Sequence, residues 1–158
     1  MIIISDSSPL IALAILDKLI LLEQLFTEIY VPLAVFEEVT ETDKPFTKEL
    51  SGFLNGKIKN LTVRTAADIL LCDIGRGEAD SIALAIELKS DLLLVDDLKA
   101  RRFAKINGLE IIGTLGILLL AKKRKLLDQI KPLLNHLIEN NIRISEKLIA
   151  MTLKAAGE

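Results

Sequence analysis

The sequence predicts an α/β protein, a three-layer α/β/α sandwich around a central parallel sheet, and three observations lead there. Short aliphatic runs bounded by polar, Gly or Pro residues alternate with longer stretches of helical periodicity. The short runs, such as Ile2-Ile3-Ile4 and Leu92-Leu93-Leu94-Val95, are continuously apolar rather than alternating, as strands covered by helices on both faces must be. At 158 residues, 51% hydrophobic and 27% charged, the chain can bury one sizeable core but not two.

The first strand is expected at Ile2 to Ser5, and Ser8-Pro9 reads as an N-cap followed by Pro in the first helical turn, opening a helix from Pro9 to Leu16. A second helix, Leu19 to Phe26, leads to a strand at Glu28 to Val31 that Pro32 ends, because proline cannot donate to a ladder. Leu33 to Thr40 carries Val35, Phe36 and Val39 at helical spacing. The polar stretch Thr40 to Lys48, with Pro45, is expected as a loop running into a helix over Phe46 to Asn55. Leu61 to Val63 reads as the third strand, Gly77 to Lys89 as a helix, and Asp91 to Val95 as the fourth strand. Leu98 to Asn107 forms a helix closed by Asn107-Gly108, Glu110 to Ile112 the last strand, and Thr114 to Lys123 the next helix. Gln129 to Asn140 and Ser145 to Ala155 read as helices, so the expected organisation is a single domain over 1–158 whose residues 126–158 are a C-terminal helical extension.

Composition narrows the function. With 4% aromatic residues and no Trp, base-stacking platforms are not expected. Cys72 is the only cysteine, which excludes an intramolecular disulfide and a multi-cysteine zinc site and suits a reducing cytoplasm. The longest apolar stretch, Ile111 to Ala121, is broken by Gly113, Thr114 and Gly116 and falls short of the roughly 20 residues of a membrane span. Neither a span nor a signal peptide is expected. The net charge of −2 argues against a generic basic coat for nucleic acid, yet acids gathered round a metal would leave the rest of the surface net positive.

The chemistry lies in acids that interrupt apolar segments. In open α/β sheets ligands bind beyond the carboxyl ends of the strands, where Asp6 and Asp96 fall. A carboxylate beside a buried strand loses hydration and recovers it from a proton, a donor or a cation. Asp6 can instead cap the first helix, although Ser8 serves equally, and Ser7 is expected to orient the Asp6 carboxylate. Glu38 lies about 105° from the centre of the Val35-Phe36-Val39 stripe and Glu37 about 155°, which puts Glu38 at the border of the buried face. Glu78 and Asp80 open one helix and face apart, and Glu78, four residues before Ile82, is preferred. Asp96 is expected as a ligand, while Asp97 either joins it or caps the following helix.

Cations are less pointed. Lys99, Arg101, Arg102 and Lys105 share a helix, and Lys122 to Lys125 form a second cluster; either set can hold phosphates or simply be solvated. Arg76, between Gly75 and Gly77, is placed to reach the acids. His136 is expected to be structural or exposed and Cys72 to be a buried thiol.

These motifs resemble a known family. Asp6-Ser7-Ser8-Pro9-Leu10-Ile11, Ile29-Tyr30-Val31-Pro32 with Val35-Phe36-Glu37-Glu38-Val39, Gly77-Glu78-Ala79-Asp80-Ser81-Ile82-Ala83-Leu84-Ala85, and Leu92-Leu93-Leu94-Val95-Asp96-Asp97 occur in the order seen in PIN-domain proteins, in the PilT N-terminus-like group that includes VapC toxins. The resemblance covers about residues 1–125 and implies a parallel α/β/α fold and cleavage of RNA at an acidic pocket holding magnesium or manganese. Carried over by motif, it implies catalytic Asp6, Glu38, Glu78 and Asp96, with Asp6, Glu78, Asp96 and Asp97 around the metal. It further implies an antitoxin as a partner, and a homodimer is expected from the Leu-rich helices. The chain departs from the pattern twice: the third acid is Glu78 where Asp is usual, and Leu94 stands where a hydroxyl residue is usual. The alternative expectation is a catalytically weak or inactive PIN-like binding protein.

Overall fold

The computed structural model describes residues 1–158 as a five-stranded, all-parallel sheet flanked by helices, the expected sandwich. The strands are β1 (Ile2–Ser5), β2 (Glu28–Pro32), β3 (Ile58–Lys59), β4 (Leu92–Leu94) and β5 (Ile111–Ile112), in the spatial order β3-β2-β1-β4-β5. The chain builds outward from β1 to β3, then crosses back to lay β4 on the other edge of β1. That reversal opens a crevice between β1 and β4 at their carboxyl ends. Ser5 pairs with Leu94, and the Asp6 amide donates to the Leu94 carbonyl at 3.0 Å, so the segments carrying Asp6 and Asp96 leave the sheet side by side.

The helices are α1 (Ser7–Ile15), α2 (Ile20–Leu25), α3 (Leu33–Val39), α4 (Thr47–Leu54), α5 (Thr65–Leu70), α6 (Arg76–Glu87), α7 (Leu98–Ile106), α8 (Thr114–Lys123), α9 (Lys131–Glu139) and α10 (Glu146–Ala156). Successive strand residues point into different layers. Ile3 and Leu94 join a larger core with Leu10 and Leu13 of α1, Ile117 and Leu118 of α8, and Leu134 and Leu137 of α9. Ile4, Leu93 and Val95 join a smaller one with Ile82 and Leu84 of α6 and Ala100 and Ala104 of α7. Burying each such Ile or Leu contributes about 2 kcal/mol, so both faces hold the sheet in register. A charge at Ile4 would open the second core. The C-terminal helices are also fastened at their end: the Glu158 carboxylate accepts from Lys122 Nζ at 2.6 Å and from the amides of Ile130 and Lys131 at 2.6 and 2.9 Å. No helix is long and apolar enough to cross a membrane.

Three local expectations are corrected, and one helix was not foreseen. The third strand is Ile58–Lys59, not Leu61 to Val63; Val63 is exposed, and the Thr62 and Val63 amides bond the Glu87 carboxylate instead of a neighbouring strand. Thr65–Leu70, which has no long apolar stripe, is helical because Ala67 and Leu70 find a buried place. Helix α1 starts at Ser7 with Asp6, not Ser8, in the N-cap position. Cys72 is exposed rather than buried, on the turn after α5.

Candidate active site

Asp6 sits at the head of the β1–β4 crevice. Its backbone is extended and its place in the chain is that of a helix N-cap, yet the side chain makes no capping hydrogen bond. The residue is only 2% exposed, and Oδ1 is buried with no hydrogen-bond partner. Loss of water pushes the Asp6 carboxyl up to about 7; the Ser7 amide opposes the rise, and the like charges of Glu78, Glu38 and Asp96 add to it. An orphaned oxygen in such a place is rare and calls for a ligand.

Glu38 approaches from the end of α3. The Ser7 hydroxyl donates to its Oε2 at 2.6 Å, so Ser7 orients Glu38 and not, as expected, Asp6. Gly77 forms the floor beneath both acids: a Cβ there would lie 2.9 Å from Glu38 Oε2, 3.4 Å from Asp6 Oδ1 and 3.5 Å from Ser7 Oγ. Glycine at this position leaves room for Glu38 as it stands, and its backbone conformation makes no such demand. Glu37 turns to the surface and pairs with Arg76 at 3.5 Å, so Arg76, which was expected to reach the pocket, is engaged outside it.

Glu78 lies in the first turn of α6 and folds its carboxylate back against Gly75, over the positive end of the helix. Asp80 is buried and committed elsewhere, to Arg64 at 3.1 Å. Of the two acids, only Glu78 acts on Asp6.

Asp96 is fixed by a residue that sequence reasoning missed. The amide and hydroxyl of Thr114, the first residue of α8, donate to its two oxygens at 2.8 and 2.5 Å. A hydroxyl is therefore supplied to the fourth acid from β5–α8 although Leu94 supplies none. The pairing Gly113-Thr114 at a strand-to-helix turn was the only available signal. Gly113 leaves the room needed: a Cβ would come within 2.7 Å of Asp96 Oδ1 and 2.9 Å of Arg101 Nη1. Asp97 is exposed and caps α7, accepting from the Ala100 amide at 2.8 Å, and it is not among the charges acting on Asp6.

Four carboxylates from four elements thus border one crevice, with no three Asp, Glu, His or Cys side chains drawn into a closed cluster. The donor chemistry, rather than any assembled cluster, suits a hard cation. All donors are oxygens, the most buried of them lacks a partner, and magnesium takes only one or two direct carboxylates and keeps its waters for the rest.

A sequence-family model described as a PIN domain matches residues 2–158. The chain belongs to the PIN-domain family, a fold of nuclease type, and the match runs through the C-terminal helices. No curated protein and no solved structure matches the chain.

Proposed function

We propose that this protein is a metal-dependent ribonuclease of the VapC toxin type, hydrolysing RNA phosphodiester bonds in the crevice bordered by Asp6, Glu38, Glu78 and Asp96. The observation that carries the reading is Asp6: a buried carboxylate with an unpartnered oxygen, crowded by three further acids at the switch point of the sheet. Such a group is costly to keep unless a cation or the chemistry requires it. Asp6 and Asp96 would hold the main ion, with Glu78 and Glu38 completing the pocket through bound water or a second ion. Magnesium or manganese, when bound there, would supply positive charge to favour ionisation of water and to offset charge on a phosphate. The chain's own part is positional. Thr114 and Ser7 hold Asp96 and Glu38 in single orientations, and Gly77 keeps the space between the acids open.

The test is cleavage of single-stranded RNA with manganese or magnesium by the wild-type chain, beside Asp6→Asn and Asp96→Asn. Loss of at least about a hundredfold in both variants, with circular dichroism unchanged, is expected. Equal cleavage by Asp6→Asn would end the proposal.

A second reading, a weak or inactive binding protein with an antitoxin-like partner, draws support from a largely apolar groove of about 620 Å³ beside Asp96, walled by Leu98, Ile112, Leu119, Leu148 and Met151. No cleavage by the wild type under any divalent ion would favour it.

A further inference from the structure

The basic residues of α7 were not separable by sequence, but their surroundings differ. Lys99, Arg102 and Lys105 are exposed, whereas Arg101 is half-buried and lines the groove beside Asp96. Its Nη1 donates to the Val95 carbonyl at 2.9 Å, at the carboxyl end of β4. The same atom and Asp96 Oδ1 both close on the space above Gly113.

Other guanidiniums near the acids are spent: Arg64 pairs with Asp80 and Asp68, and Arg76 with Glu37. Arg101 is different. It stands beside the acidic crevice, held in place by a neutral carbonyl, and forms an ion pair with none of the carboxylates. Most of the five donors of its planar fork remain open, in the geometry that suits a phosphate. Both Asp96 oxygens already accept from Thr114, and the open donors of Arg101 suit an anion brought to the crevice.

We infer that Arg101 is a substrate-positioning residue that grips the non-bridging oxygens of an RNA phosphate on the Asp96 side of the crevice, adjacent to the bond to be cleaved. The inference rests on the ribonuclease reading. The competing role is structural, a staple from α7 to the end of β4 through the Val95 carbonyl.

Salt dependence separates the two, because only a phosphate contact releases counterions. Binding of a labelled single-stranded RNA is measured between about 50 and about 200 mM salt on an Asp6→Asn background, with Arg101→Gln and Arg101→Lys added in turn. Arg101→Gln should weaken binding about tenfold and flatten the slope of log affinity against log salt by about 0.7, the value for one phosphate on a single strand, without lowering the melting temperature. Arg101→Lys should restore the slope but not the full affinity, since it keeps the charge and loses the fork. With Asp6 intact and manganese present, Arg101→Gln should raise KM more than it lowers kcat. An unchanged salt slope overturns the inference, whatever happens to rate or stability. A wild type that cleaves and binds RNA while Arg101→Gln behaves identically removes this assignment alone; a wild type that neither binds nor cleaves RNA removes the ribonuclease reading and this one with it.

Discussion

The Ser7 hydroxyl, at the start of α1, donates at 2.6 Å to Oε2 of Glu38, near the end of α3, and so points the second acid at the same space over Gly77 that Asp6 faces. The hydroxyl touches an acid of the crevice. On the proposed ribonuclease reading, Ser7→Ala should lower kcat for RNA about tenfold while leaving KM close to wild type, as loss of an orienting hydrogen bond behind a site acid does. Steady-state cleavage kinetics check this, and an unchanged kcat would show that Glu38 needs no anchor.

Asp6 makes stability depend on pH in a particular direction. Its carboxyl is raised from 3.8 to about 7 in the folded chain, chiefly by burial, so between those values the unfolded chain releases a proton that the native chain keeps. Without divalent ions, the Asp6 contribution to stability is whole below about pH 4 and declines as the pH climbs to about 7, by an amount on the order of 4 kcal/mol. Urea denaturation at about pH 5 and about pH 8 should show the part of this loss that falls between them, about 3 kcal/mol, in the wild type and not in Asp6→Asn. Manganese should reverse it, and should bind more tightly as pH rises, because the proton must leave first.

Gly77→Ala tests the shape of the pocket. The added methyl would enter the space 2.9 Å from Glu38 Oε2 and 3.4 Å from Asp6 Oδ1, and Glu38, the longer and more exposed of the two, must swing away. Alanine favours the helix by about 1 kcal/mol, so the fold should be retained while manganese affinity, read by calorimetry, falls about tenfold or more. Retained affinity would mean that the two acids do not share an ion.

Glu158 gives the opposite pH response. The Lys122 ammonium, then the Ile130 and Lys131 amides, lower its carboxyl from 4.5 to about 2. Its contribution is present above about pH 4.5 and disappears as the pH falls to about 2. Glu158→Gln should reduce the melting temperature at neutral pH, and its difference from the wild type should shrink to nothing in acid.

The alternation of buried strands with amphipathic helices, the exit of Asp6 and Asp96 at the carboxyl ends of their strands, and the choice of acids worth watching were legible in the chain, because each depends on residues within a few positions of one another; that β1 and β4 are neighbours was not, since that pairing joins residues about 89 apart. Ile2-Ile3-Ile4-Ser5-Asp6 and Leu92-Leu93-Leu94-Val95-Asp96 announce both strand and exit by polarity alone. Short elements were less clear: Ile58–Lys59 draws its pairing from β2 across the sheet, and α5 draws its stability from α6.

Folding in three dimensions settled which partner each side chain meets. Ser7 with Glu38, Thr114 with Asp96, Arg64 with Asp80 and Arg76 with Glu37 span 16 to 39 residues, and no local period foretells them. It also separated Arg101 from its exposed neighbours and gave Gly77 and Gly113 their meaning as open space. Periodicity reports the face on which a residue lies, through a torsional preference that acts over one turn; the identity of the group opposite depends on how whole layers dock, and only packing of the two cores sets that.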